Sequence, residues 1–174
     1  MTKQDILGKR VKFAFIAIGS NKGNKKLNIE LTKFKLQYNS IKIIKSSSCY
    51  VTPSWPDINK PKFINIVVKV KTTLSPIDLL NACNKIEIEL GRKRFKKNEP
   101  RTCDIDIIDY DQKIIKLNGL SSLTIPHPRI EHRNFVLLPL FEISKSWKHP
   151  VNKANIAELI SFLNEEDLRT IKQI

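Results

Sequence analysis

The chain is poor in cysteine, glycine, methionine and aromatic residues, and each shortage excludes something. Its cysteines, Cys49, Cys83 and Cys103, include no closely spaced pair. An odd count without a CxxC argues against a secreted disulfide framework and against a zinc ribbon. There is no GxGxxG, no HExxH and no GxSxG. GSNKGNK at 19–25 lies between an apolar run and a helical pattern, yet it is not GxxxxGK[ST], because no Ser or Thr follows its lysine. It reads as a turn and a helix N-terminus. The longest early apolar run, 13–18, is far short of the about 20 residues that span a bilayer. The first residues lack the apolar stretch of a signal peptide. The expectation is a soluble, cytoplasmic protein with no membrane partner. Aromatics make up only 7% of the chain, so the core must be built mainly from Ile, Leu and Val.

What is present points to one domain, 1–174. A chain of 174 residues can bury a sizeable core without a disulfide or metal staple. Lys and Arg number 31 against 17 Asp and Glu, a net charge of +14. Such an excess favours anionic ligands. Lysines such as Lys22, Lys25, Lys26, Lys33 and Lys35 read equally well as surface bias.

Residues 13–19 read as a buried strand ended by Gly. The lysine-rich segment after it, with Leu27, Ile29, Leu31, Phe34 and Leu36 as its apolar side, predicts an amphipathic helix. Residues 41–50 predict a second strand, and the proline-rich 51–61 a loop. Residues 63–71 alternate: Ile64, Ile66, Val68 and Val70 form a face for helices, and Asn65 lies on the other face, available to a ligand. Ser75 as N-cap, Pro76 at N1, Asp78 at N3 and Gly91 at the end frame a helix with Leu79, Leu80, Cys83, Ile86 and Leu90 as its core stripe. Residues 104–110 predict a strand, with 113–117 as its hairpin partner. Residues 135–143 and 156–163 are helix candidates. This order is that of an α+β ferredoxin-like sandwich, an antiparallel sheet flanked by helices.

The stretch richest in chemistry is Pro100-Arg101-Thr102-Cys103-Asp104-Ile105-Asp106-Ile107-Ile108. Aspartates at alternate positions of a strand share a face, and like charges there need a cation. Mg²⁺ shared with a nucleotide fits that demand; a solvated strand end is the plainer alternative. The basic segment 92–101 adjoins the pair and could clamp phosphates or close over them. Thr124-Ile125-Pro126-His127-Pro128-Arg129 and Glu131-His132-Arg133-Asn134-Phe135 add a histidine and arginines that could contact phosphates.

Taken together, AFIAIGSNKGN, SSSCYVTPSW, KFINIVVKV, IEIELGRKR, PRTCDIDII and TIPHPRIEHRNFVLLPLFEI resemble the 6-hydroxymethyl-7,8-dihydropterin pyrophosphokinase family, over roughly 13–143 and in the family's order. The resemblance implies a ferredoxin-like fold. It implies transfer of the β,γ-pyrophosphoryl group of ATP to the hydroxymethyl group of a reduced pterin, in folate biosynthesis. It further implies that Asp104 and Asp106 hold two Mg²⁺ ions. Arg92 and Arg101 would stabilise the transferring group. Asn84, Glu87, Arg94, Ile107, Thr124, His127 and Arg133 would bind ATP. Thr52, Pro53, Phe63, Asn65 and Phe135 would hold the pterin. A monomer without a nucleic-acid or membrane partner is expected, and from the length so is the absence of a fused aldolase or synthase domain. Two departures stand out. Lys97-Asn98-Glu99-Pro100 lacks the tryptophan some members carry before PRT, with Trp55 or Phe95 as replacements, and Pro128 stands where some members have an aromatic.

Two other readings remain at this point: an RNA-binding module on a similar fold, and a different Mg-dependent DxD nucleotide transferase. The first needs stacking aromatics, but the 63–71 strand lacks the RNP1 aromatics and the low aromatic content leaves little to stack bases on.

Overall fold

A computed structural model describes residues 10–55, 57–92, 99–119 and 122–174. Strand β1 (Lys12–Ser20) leads into helix α1 (Lys25–Tyr38), then β2 (Lys42–Ser46), β3 (Tyr50–Thr52) and β4 (Phe63–Thr72). Helix α2 (Pro76–Glu89) precedes β5 (Asp104–Tyr110), β6 (Ile115–Leu117) and β7 (Leu123–Ile125). A 3₁₀ turn (Ile130–His132), helices α3 (Asn134–Ile143), α4 (Ile156–Ser161) and α5 (Glu165–Thr170) and strand β8 (Lys172–Gln173) complete the order. The main sheet runs β5-β1-β4-β3-β8, with β2 also on β4, and every pair is antiparallel. The fold is α+β, with an antiparallel sheet and helices.

The helix caps follow the local chemistry. The Asn24 side chain accepts the Leu27 amide, and that of Ser75 accepts the Asp78 amide, with Pro76 where no intrahelical donor is needed. Gly91 sits at φ +81°, the left-handed conformation that stops α2.

Four expectations need correction. The predicted strand 41–50 is two strands: β2 pairs one half of β4, from Val68 to Lys71, and β3 the other, from Phe63 to Asn65. Between them the Ser47 hydroxyl takes over part of the ladder, accepting the Val67 amide at 3.0 Å while the Ser47 amide donates to the Val67 carbonyl at 2.9 Å. Residues 113–117 do not pair with β5; Ile115 lies opposite Ile125 in a separate two-stranded sheet. Helix α1 buries Ile29, Thr32 and Leu36, whereas Leu27, Leu31 and Phe34 are exposed. Thr32 can face inward because its hydroxyl donates to the Asn28 carbonyl at 2.7 Å. Finally, the second face of β4 is not open.

That second face carries its own core. Ile16, Ile18, Ile66, Val68, Leu79 and Ile86 belong to the cluster beneath α1 and α2. Phe15, Val67 and Ile108 pack with Val136, Leu137, Leu140, Ile156 and Leu159 of α3 and α4 on the other side. The sheet is therefore a middle layer. An RNA-binding sheet of the kind considered above offers bases an open face, and here α3 and α4 cover much of that face.

The second core has one buried polar anchor. Trp147 donates its indole N–H to Asp109 at 2.7 Å, and Gln112 donates its backbone N–H to the same carboxylate at 2.9 Å. Burial pushes the Asp109 carboxyl up, against these donors, which pull it down. Trp147→Phe keeps a ring but removes one donor from a buried carboxylate. The expected loss is about 1–3 kcal/mol in urea unfolding followed by circular dichroism, and an unchanged midpoint would contradict the anchoring role.

Candidate active site

Asp104, Gly19, Asn65 and Tyr50 lie in one row across β5, β1, β4 and β3. Asp106 and Ala17 begin the next row on the same face. The middle of the first row must be glycine. A Cβ at Gly19 would stand 2.8 Å from Oδ1 of Asn65 and 3.5 Å from the Phe63 ring. Asn65 is only 6% exposed, and its amide donates to the Thr52 hydroxyl at 2.9 Å. Thr52, Asn65 and Phe63 thus converge on one corner of the sheet, with Pro53 directly after Thr52.

The two aspartates are neutralised by arginines. Oδ1 of Asp104 is 2.6 Å from Arg92, and its Oδ2 takes two bonds from Arg101, at 2.9 and 2.8 Å. Arg92 also pairs with Glu87. Glu87 is buried and accepts the Ile105 amide at 2.7 Å, which ties α2 to β5 and fixes where Arg92 points. Asn84 lies one turn earlier on α2. Asp106 accepts from Arg133 at 2.6 Å. Burial pushes the Asp106 carboxyl up, but Arg133 chiefly, with His127 and Arg92, holds it below the usual carboxylate range. Among the described residues, three guanidinium groups therefore face three carboxylates.

Two of these arginines also cover rings. Arg101 lies 5.2 Å from the Phe63 centroid, and Arg133 5.5 Å from that of Phe135. The charged cluster is continuous with the aromatic positions at both ends.

His127 is half-buried at the outer edge of β5, where its amide donates to the Ile108 carbonyl at 3.1 Å. Its Nδ1 accepts the Arg129 amide at 3.2 Å. Burial lowers the His127 pKa, and Arg133 adds to this, against the opposing effect of Asp106. The ring is neutral at pH 7, with its proton on Nε2.

Not all the expected residues meet in the same way. The Ile107 side chain is buried in the core beneath α1 and α2, away from the charged cluster. Thr124 is exposed on β7. Arg94 and Phe95 lie outside the described residues. Trp55 is described and is 78% exposed.

Lys22, read from the sequence as surface charge, lines a cleft of about 300 Å³ with Gly91, Arg92, Glu99, Pro100, Arg101 and Thr102. Asn21 was read only as part of a turn, and it is buried beside the same cleft. The available signal was position: both follow directly on the strand that carries Gly19.

Among the described residues no group of three or more His, Cys, Asp or Glu side chains could hold a metal ion alone. What the site offers is a pair of carboxylates beside a dense positive charge. Such a site suits a ligand that brings anionic oxygens of its own, as a nucleotide does.

Residues 15–145 match the family described as 7,8-dihydro-6-hydroxymethylpterin-pyrophosphokinase (HPPK). The chain is 36% identical to the 2-amino-4-hydroxy-6-hydroxymethyldihydropteridine pyrophosphokinase of Aquifex aeolicus, over 83% of this chain and 88% of that protein. It is 38% identical to the folic acid synthesis protein fol1 of Pneumocystis carinii, over 90% of this chain but only 21% of that longer protein. Among solved structures, the HPPK-DHPS of Plasmodium falciparum with pterin and p-hydroxybenzoate superposes at a TM-score of 0.74, with 20% identity, over 95% of this chain and 47% of that one. The chain thus spans about a fifth of the fungal relative and about half of the Plasmodium chain. By these likenesses, the chain belongs to the 7,8-dihydro-6-hydroxymethylpterin-pyrophosphokinase family, an enzyme family of folate biosynthesis.

Proposed function

We propose that the protein transfers the β,γ-pyrophosphoryl group of ATP to the hydroxymethyl oxygen of 6-hydroxymethyl-7,8-dihydropterin. The O–Pβ bond forms as the Pα–O–Pβ linkage breaks, giving AMP, the pterin diphosphate and a proton. The observation that carries this reading is the carboxylate pair on β5, neutralised by Arg92, Arg101 and Arg133, beside the corner made by Thr52, Phe63 and Asn65.

The donor set fits Mg²⁺. Two carboxylates on alternate residues of one strand, with no third ligand among the described residues, leave coordination positions for phosphate oxygens and water. Asp104 and Asp106 would hold two such ions together with ATP. Bound there, Mg²⁺ neutralises phosphate charge and makes the pterin hydroxyl more acidic.

The chain's own residues supply position and charge. Transfer of this kind depends on in-line placement and on neutralising the oxygens of the migrating group. Arg92 and Arg101 exchange part of their hold on Asp104 for those oxygens, with Glu87 keeping Arg92 in place. His127, neutral and protonated at Nε2, donates to a nucleotide phosphate, and Arg133 bridges Asp106 to the same anion. Asn84, Arg94, Ile107 and Thr124 complete the nucleotide side. Phe63 and Phe135 present ring faces to the flat pterin, and Asn65 and Thr52 read its polar edge. Pro53 stiffens the chain beside them.

Other expectations belong to the same reading. The strand order supports a ferredoxin-like sandwich, extended here by a further helical layer. We take residues 1–174 as one domain, working as a cytoplasmic monomer without nucleic acid. Among the described residues no helix is long and apolar enough to cross a membrane.

The test is AMP release from ATP and Mg²⁺, with and without the pterin. Asp104→Ala and Asp106→Ala are expected to abolish pterin-dependent AMP. Wild-type rates in both would remove the metal role. Arg92→Ala and Arg101→Ala each remove a donor to developing charge. A kcat loss on the order of 10²–10³ is expected, with circular dichroism unchanged. A rise in KM alone would show that they only bind substrate.

His127 makes a pH prediction. Its folded-state pKa lies below the ordinary imidazole value, so the unfolded chain binds the proton more tightly. Its contribution to stability is complete above the unfolded value and is lost as pH falls through the folded one. Without metal, the melting temperature of wild type minus that of His127→Gln should therefore fall as pH drops from 7.5 through this window. A difference that stays constant, or rises, would contradict the assignment.

A further inference from the structure

The GSNKGN turn contains a buried side chain that the proposed reaction does not use. Asn21 is 3% exposed. The turn around it is fixed by α1: the Asn28 amide donates to the Ser20 hydroxyl at 3.1 Å and to the Lys22 carbonyl at 2.8 Å. From that fixed point Asn21 reaches in two directions.

Toward the arginines, the Asn21 backbone N–H donates to the Arg101 carbonyl at 3.0 Å, and the Arg101 backbone N–H donates to the side-chain Oδ1 of Asn21 at 2.7 Å. The Arg101 backbone is thereby held at both its polar groups. Its side chain runs on to Asp104 and lies over Phe63. Toward the pterin corner, Nδ2 of Asn21 donates to the Ser54 hydroxyl and to the Pro61 carbonyl, each at 3.2 Å. Ser54 in turn donates to the Pro61 carbonyl at 2.7 Å. This closes the base of the loop between Thr52 and Phe63. One carboxamide thus spends its acceptor on one wall of the site and its two donors on the other, and only an asparagine at this position does both.

We propose that Asn21 is a positioning residue that fixes Arg101 for catalysis through its oxygen and the 52–63 segment for pterin binding through its nitrogen. The inference rests on the pyrophosphokinase reading above. Asn21 touches no reacting atom and acts through its partners. Its two arms can therefore be cut separately.

Steady-state kinetics with ATP, Mg²⁺ and 6-hydroxymethyl-7,8-dihydropterin would decide it. Asn21→Asp keeps an acceptor for the Arg101 amide and loses both donors. It should raise the pterin KM about tenfold, the worth of roughly one net hydrogen bond, while kcat stays within about threefold of wild type. Ser54→Ala should shift the same KM in the same direction with little effect on kcat. Asn21→Ala keeps the backbone bond to the Arg101 carbonyl but loses both side-chain arms, and should lower kcat at least about tenfold as well. If that loss passes through Arg101, adding Asn21→Ala to Arg101→Ala should lower kcat no further.

A merely structural role predicts something else: similar shifts in both substrates' KM with Asn21→Asp, and a kcat loss from Asn21→Ala that persists in the Arg101→Ala background. Either result overturns the inference while leaving the pyrophosphokinase reading intact. If the wild-type protein forms no pterin-dependent AMP, that reading falls and the inference with it. Ser54→Ala, remote from the Arg101 backbone, keeps the pterin arm testable if Asn21→Ala does not fold.

Discussion

Everything in this site depends on keeping Asp104 and Asp106 together on one face of a sheet. Adjacent carboxylates at the edge of a packed core are tolerated only when each is matched by a cation. The chain meets that constraint with Arg92 and Arg101 on one and Arg133 on the other, and it uses buried Glu87 to set Arg92. Among the described residues three guanidinium groups match three carboxylates, and that matching leaves the arginines ready to exchange partners. A polyanion arriving with its own counter-cations can take the arginines while the cations take the aspartates, so charge stays matched throughout. That exchange is the physical link between a stable fold and the proposed chemistry.

The scaffold serves this arrangement. β1 lies between β4 and β5, and Gly19 near its end lets the Asn65 amide lie across the strand. Asp104 and Asn65 flank the same glycine, so the proposed nucleotide and pterin ends share a single row. Because α3 and α4 cover part of this face, the exposed remainder is a restricted corner rather than an open sheet. α3 also brings Phe135 in beside Arg133.

Much of this was legible in the sequence wherever the signal was local. The alternation in residues 104–108 gave the shared face of the two aspartates, and Ser75, Pro76 and Gly91 gave the limits of α2. The failures were of one kind. Residues 41–50 look like a continuous strand because nothing in β propensity shows that the Ser47 hydroxyl will replace a ladder partner. The inward face of α1 was misplaced because Thr32 counts as polar until its hydroxyl is seen bonded within its own helix. Residues 113–117 were given to β5 because their true partner, around Ile125, follows a loop with no hairpin signature.

Asn21 shows the same limit at the site. Its partners are 33, 40 and 80 residues away, so no local pattern could assign it a role. Asp104 and Asp106 declared themselves by spacing, whereas the demand for a cation was met in an unforeseen way, by guanidinium groups of the chain itself. A metal ion and the arginines are alternative answers to one electrostatic problem, and the proposed reaction uses both.

The most direct test of the central claim is the position of bond cleavage in ATP, followed by ³¹P NMR during turnover with Mg²⁺ and 6-hydroxymethyl-7,8-dihydropterin. The account predicts resonances of AMP and of a pterin diphosphate ester appearing together, in equal amounts and only when the pterin is present. ADP with a pterin monophosphate, or ATP breakdown independent of the pterin, would contradict it.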